Sequence, residues 1–184
     1  KHFIDSLTID SYLKENSTLA DVGTGAGFPG IPLKIVRPDL KITLVDSLNK
    51  RINFLNEVIT KLNLKDVTTV HSRIEDFGND KKYREKFDYV TARAVANLSV
   101  LSEYLLPISK VGGKCICMKG SNVQEEIDIG GNAIKILGGK INGINQFKLP
   151  ESDISRNIIV LDKIKNTPSK FPRKAGMPSK EPLK

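Results

Sequence analysis

The chain has 184 residues, 39% hydrophobic and 27% charged, with two cysteines, two histidines and a formal net charge of +8. That length suits one domain with a substantial single core, and the composition is ordinary for a globular protein. No apolar run approaches the roughly 20 residues that span a bilayer, and no signal-peptide pattern is present, which argues against a membrane or secreted protein and makes the cytoplasm the expected compartment. The first residue is Lys1 and not Met, so the chain is expected to be a piece of a longer protein.

In chain order, apolar residues at helical spacing (Phe3, Ile4, Leu7, Ile9, Leu13) predict a leading helix over 3–14. A strand over 19–22 runs into the cluster Gly23-Thr24-Gly25-Ala26-Gly27, and a helix then resumes near Gly30 and lasts until Pro38. A second strand, 42–45, ends at Asp46. Leu48, Ile52, Leu55, Ile59 and Leu62 make one apolar stripe and the clearest helix of the chain. Strands over 67–70, 87–92 and 114–118 follow. A charged loop (78–86) precedes the second of these, and the turn Val111-Gly112-Gly113 precedes the third. Between those two strands lies a helix capped by Asn97. Ser121-Asn122-Val123-Gln124 has the capping-box form and opens a helix that Gly130 and Gly131 are expected to interrupt. The stretches 141–149 and 157–161 read as two closing strands. Five strand–helix alternations and a final strand pair predict a doubly wound α/β domain, mostly parallel, with an antiparallel edge. The expected domain covers residues 1–162.

The remainder, 163–184, is a basic, proline-rich tail. It holds seven Lys and Arg against the single acid Glu181, so +6 of the +8 resides there, and four prolines argue against a helix or central strand. From charge alone, a polyanionic partner and a merely solvated terminus are equally compatible with it. Cys115 and Cys117 are two apart in an apolar run, share a strand face, and read as small core residues.

The glycine cluster follows a strand and opens a helix, the context in which such a loop binds a ligand against bare backbone. Such a ligand lies outside the carboxyl ends of the strands. Asp46, at the tip of the second strand, is placed to accept hydrogen bonds from ribose hydroxyls, which makes the ligand a nucleoside derivative. Gly25-Ala26-Gly27-Phe28-Pro29-Gly30 also satisfies the dinucleotide pattern. Three features favour S-adenosyl-L-methionine over a nicotinamide cofactor. Asp21 would repel a pyrophosphate and attract an ammonium; Pro29 removes an amide at the helix start; and no residues remain for a second nucleotide-binding half. Ser72 and Glu75 admit two readings, a capping box and a wall where Ile74-Glu75 meets an adenine. Arg93 and Lys119 each follow a strand, where an anionic substrate and a surface salt bridge explain them equally well.

Taken together, Lys1-His2-Phe3-Ile4-Asp5-Ser6, the loop from Asp21 to Gly30, Val45-Asp46-Ser47-Leu48-Asn49-Lys50-Arg51, Thr91-Ala92-Arg93-Ala94-Val95-Ala96 and Pro172-Arg173-Lys174-Ala175-Gly176-Met177-Pro178 resemble the RsmG (GidB) family over nearly the whole chain. The family consists of small-subunit ribosomal RNA methyltransferases. The resemblance implies a Rossmann-like enzyme methylating N7 of one guanine in 16S ribosomal RNA, free or within the small subunit, and acting as a monomer. It implies cofactor contacts at Gly23, Phe28, Ile74, Glu75 and Arg93, alongside Gly25 and Asp46 from the loop argument. Lys119, Arg173 and Lys174 are the expected RNA contacts. No residue is assigned as catalytic and no metal is expected. The family pattern also includes a helical segment ahead of the Lys-His-x-x-Asp-Ser stretch, with which this chain opens.

Overall fold

A computed structural model describes residues 2–93, 96–120, 123–150 and 152–184. The expected capping box at Ser121-Asn122 lies outside the described residues.

Seven strands form one sheet in the order β3-β2-β1-β4-β5-β7-β6. They are β1 Thr18–Val22, β2 Lys41–Asp46, β3 Val67–His71, β4 Phe87–Arg93, β5 Ser109–Lys119, β6 Gly139–Lys148 and β7 Ser155–Lys163. All neighbouring pairs are parallel except β5–β7 and β7–β6. The reversed strand is therefore β7, one position in from the edge. The sheet is covered on both faces, so the strands read as near-continuous apolar runs, and alternation divides each run between two cores. Val90, Cys115, Cys117, Ile159 and Leu161 face one; Tyr89, Ile116, Met118, Ile158 and Val160 face the other. Both cysteines are free and fully buried, and burial pushes the Cys115 thiol up to about 12.

The helices are α1 His2–Leu7, α2 Gly30–Val36, α3 Asn49–Lys61, α4 Ile74–Asn79, α5 Leu98–Leu105, α6 Gln124–Ile136 and α7 Met177–Lys180. Asn97 caps α5 as expected, its side chain accepting from the Val100 amide. Four expectations are corrected. The leading helix stops at Leu7 because Thr8 Oγ1 donates to the Asp5 carbonyl at 2.6 Å, and chain direction changes before a single 3-10 turn at Asp10–Tyr12. The turn expected at 111–113 is a bulge inside β5: Phe87 opposes Ser109 while Tyr89 opposes Lys114. α6 runs unbroken through Gly130 and Gly131. Gly130 is buried against α5, where an added Cβ would stand 3.3 Å from the Ser99 amide nitrogen, so it serves close helix approach. Finally, part of the charged loop is α4.

The C-terminal segment packs on the domain. Lys163, where the expected division fell, is the last residue of β7; its ammonium is buried against the Leu106 carbonyl (2.5 Å), Thr167 Oγ1 (2.7 Å) and Glu85 (3.0 Å). Arg84 donates to the carbonyls of Thr167, Phe171 and Gly78. Further on, Phe171 is buried and Pro178 does not prevent α7, since proline is tolerated in a first helical turn. No helix among the described residues is long and apolar enough to cross a membrane.

Candidate active site

At the carboxyl ends of β1, β2 and β4, a cavity of about 600 Å3 is lined by Gly23, Asp46, Ser47, Leu48, Arg51, Arg73, Ile74, Glu75, Arg93 and Tyr104. Five residues singled out from sequence thus meet in one cavity, at the place where strand order reverses around β1.

The glycine loop is built around two acids. Asp21, the penultimate residue of β1, is fully buried. Its Oδ2 accepts from Thr24 Oγ1 (2.7 Å) and from the Gly30 amide that opens α2 (2.8 Å). A Cβ on Gly30 would stand 2.3 Å from Leu44 and 2.9 Å from that same oxygen, so only glycine fits. Asp21 Oδ1 is buried with no hydrogen-bond partner among the described residues. Burial pushes the Asp21 carboxyl up to about 7, against the Thr24 and Gly30 hydrogen bonds that favour its charge. Asp46, also buried, fastens the other side: Oδ2 accepts from the Gly25 amide at 2.9 Å and from Arg51 at 3.3 Å, and Oδ1 from the Leu48 amide at 3.0 Å. A carboxylate has about four lone-pair sites, so Asp46 keeps acceptor capacity toward the cavity. Gly25 has φ +62 and nothing within 4 Å of where a Cβ would be, leaving bare backbone facing open space.

Glu75 does not close a capping box. Its Oε1 accepts from the Gly176 amide at 2.8 Å, while Ser72 Oγ donates to the Arg73 carbonyl. This ties the cavity wall to the C-terminal segment, and Tyr104 repeats the tie through its hydroxyl and Ser179 Oγ at 2.9 Å. Sequence reasoning missed Tyr104 because it belongs to an ordinary helical face and meets the cavity only through the fold. Ser47, Leu48 and Arg51 carried a signal in the run following Asp46.

Phe28 is not among the cavity-lining residues but stands beside them. The Arg93 guanidinium lies 5.2 Å from its ring centroid, and the His2 and Phe3 rings lie 5.8 and 5.4 Å away. Two of the three expected RNA cations are engaged internally. Arg173 forms a multidentate pair with fully buried Glu103 (2.7 Å at the shortest), and Lys119 pairs with Glu126 at 2.8 Å and the Ala96 carbonyl at 2.5 Å. Lys174 is exposed.

A seven-stranded sheet in this order, with a glycine loop after β1 and an acid at the end of β2, defines a class I methyltransferase-like domain. Among solved structures, a variant of the 16S rRNA (adenine(1408)-N(1))-methyltransferase from Catenulisporales acidiphilia superposes with a TM-score of 0.67 at 15% identity, over 83% of this chain and 87% of that one. In sequence, the family model described as rRNA small subunit methyltransferase G matches residues 1–159. Two relatives named ribosomal RNA small subunit methyltransferase G are similar throughout. One, from Acetivibrio thermocellus, is 60% identical over all of this chain and 76% of its own length. The other, from Alkaliphilus metalliredigens, is 56% identical over all of this chain and 78% of its own. The chain belongs to the rRNA small subunit methyltransferase G family and is an rRNA methyltransferase.

Proposed function

We propose that this enzyme transfers a methyl group from S-adenosyl-L-methionine to N7 of one guanine in 16S ribosomal RNA, as a cytoplasmic monomer. The observation that carries the reading is the open backbone at Gly25 between Asp21 and Asp46, beside a cavity whose 600 Å3 suits a nucleoside-sized ligand. The residues fit this donor better than a dinucleotide. The first amide of α2 is already taken by Asp21, so no donor waits there for a pyrophosphate, and the unpartnered Asp21 Oδ1 suits the cofactor's ammonium. Asp46 would hold the ribose, and Ile74, Glu75 and Gly23 the adenosyl wall, with Phe28 and Arg93 at its border.

The bound donor supplies an electrophilic methyl group. Guanine N7 carries an in-plane lone pair and no proton, so the protein needs no general base, and among the described residues the cavity offers no histidine or thiol in that role. What the chain contributes is position: a rigid loop pinned by two buried carboxylates holds the donor while the acceptor base is brought into line. The test is methyl transfer from labelled S-adenosylmethionine to 30S particles and to free ribosomal RNA, followed by mapping of the modified base. Label at a guanine N7 supports the reading; label on another atom or base, or none on either substrate, overturns it.

A further inference from the structure

A second cavity, of about 290 Å3, adjoins the first and shares Arg93 with it; Asp5, Met118, Lys119, Gly120 and Arg156 also line it. It exists because β7 is reversed. The start of that strand lies against the carboxyl end of β5, with Lys119 opposite Asn157, so Arg156 arrives at the same sheet end as Arg93 and Met118. α1 closes the remaining side and brings in Asp5, the one carboxylate among the described lining residues. Asp5 is nearly buried and held from two directions. Its Oδ1 accepts from Arg156 Nε at 3.2 Å, and its Oδ2 lies 3.6 Å from Arg93 Nη1, too far for a hydrogen bond. That Nη1 is itself buried and makes no hydrogen bond among the described residues. Inside the cavity wall, an acceptor with unused lone pairs thus lies next to a donor that is ion-paired but makes no hydrogen bond among the described residues, and both are buried. The rings of His2, Phe3 and Phe28 stand alongside, with Phe3 57% exposed.

We propose that this smaller cavity receives the flipped acceptor base and that Asp5 reads its donor edge, which makes Asp5 the residue that selects guanine. The inference rests on the larger cavity being the donor site. A base modified by an enzyme is taken out of its stack and read by hydrogen bonds to its Watson–Crick edge between aromatic groups. Going round the guanine ring, the groups come in the order N2–H2, N1–H, O6, N7. The first two are adjacent donors that match a carboxylate, the third is an acceptor that matches Arg93 Nη1, ion-paired with Asp5 but without a hydrogen bond among the described residues, and the fourth must face the methyl group. The protein presents its groups in the same sequence: Asp5, then Arg93, then the larger cavity that Arg93 borders. Adenine would set its N1 lone pair against Asp5 and gain one bond at most. A carboxylate fixed there also opposes the positive charge that the ring acquires on methylation.

The test compares methyl transfer to RNA carrying guanosine or inosine at the mapped position, inosine lacking only the N2 amino group. Wild type should favour guanosine at least tenfold in kcat/KM, because inosine leaves one carboxylate lone pair unmatched. Asp5→Asn should lower both rates, because both bases lose the carboxylate's charge, but guanosine more than inosine, because only guanosine also loses the bond to N2, collapsing the ratio to about twofold or less. Calorimetric binding of S-adenosylhomocysteine should stay at wild-type strength in the variant. Should Asp5→Asn fail to fold, Asp5→Glu, which retains the charge for Arg93 and Arg156 but moves the oxygens by a methylene, must narrow the ratio in the same way. A wild-type enzyme indifferent to inosine, or a variant that keeps full discrimination, overturns the proposal. Absent S-adenosylhomocysteine binding in the wild type would instead remove the donor-site reading beneath it.

Discussion

Asp21 carries opposite demands. Two hydrogen bonds to the glycine loop favour its charge, yet complete burial dominates and pushes the carboxyl up to about 7. The folded state therefore holds this proton more tightly than the unfolded chain, where the ordinary value is 3.8. Stability from this group is complete below about pH 4 and is lost as pH climbs through 7. Asp21→Asn retains an oxygen for Thr24 and Gly30 but cannot ionise. Its urea midpoint should rise relative to wild type between pH 4 and 7 and then level off, with an upper bound of about 4 kcal/mol. A difference that is flat across that range would show that Asp21 ionises freely in the fold. The same variant should bind S-adenosylmethionine at least tenfold more weakly at pH 8, because the cofactor's ammonium loses its counter-charge. At this scale the sequence was readable where residues meet near neighbours: Asp21, Gly25 and Asp46 come together within one loop and two strand tips. The partners of Glu75 and Lys119 were not readable, since the chain reaches each only through folding, Gly176 for one and Glu126 for the other.

Among the elements, α6 separates two glycines that look alike in sequence. Gly130 lies where α5 and α6 touch, whereas a Cβ on Gly131 meets nothing within 4 Å and its backbone is helical. Gly131→Ala should stabilise the protein by about 0.5–1 kcal/mol through lost freedom in the unfolded chain. Gly130→Ala should lose that gain and more, because the new methyl presses the Ser99 amide. Thermal denaturation of the two single variants decides it; equal effects would mean that the helices do not touch closely at Gly130. Strand positions and α2, α3 and α5 followed from periodicity and punctuation. What sequence could not show was where a glycine is harmless inside a helix, or that Val111-Gly112-Gly113 is a bulge within β5, because both depend on the neighbouring element. The stripe of α3 was legible, but only Ile52 and Leu55 at its centre are buried in full; Leu48 and Leu62 lie just beyond the helix ends and are half-exposed.

For the molecule as a whole, the basic C-terminal segment is also a structural strap. Lys163 and Arg173 are committed to Glu85 and Glu103, while Lys165, Lys170, Lys174, Lys180 and Lys184 remain exposed. Removing the segment would strand Glu103 as an uncompensated buried charge and uncover Phe171, so a truncation confounds RNA binding with unfolding. Replacing Lys174 and Lys180 by Ala avoids this. Affinity for ribosomal RNA should fall, and the slope of log K against log salt should flatten by about one to two, with the melting temperature held. An unchanged slope would free both lysines from any phosphate contact. The reversed β7 has a further consequence in time. β6 leaves the ribosome before β7, yet among the described residues its only sheet neighbour is β7, so it lacks that partner until the chain doubles back. β6 therefore reaches the sheet only by way of β7, late and at long range. Amide exchange in the folded protein will release them as one cooperative unit. Because Arg156 rides on that pair, a base held against Asp5 will slow the unit's opening, and occupancy of the acceptor cavity can be read as protection along β6, some distance from any contact.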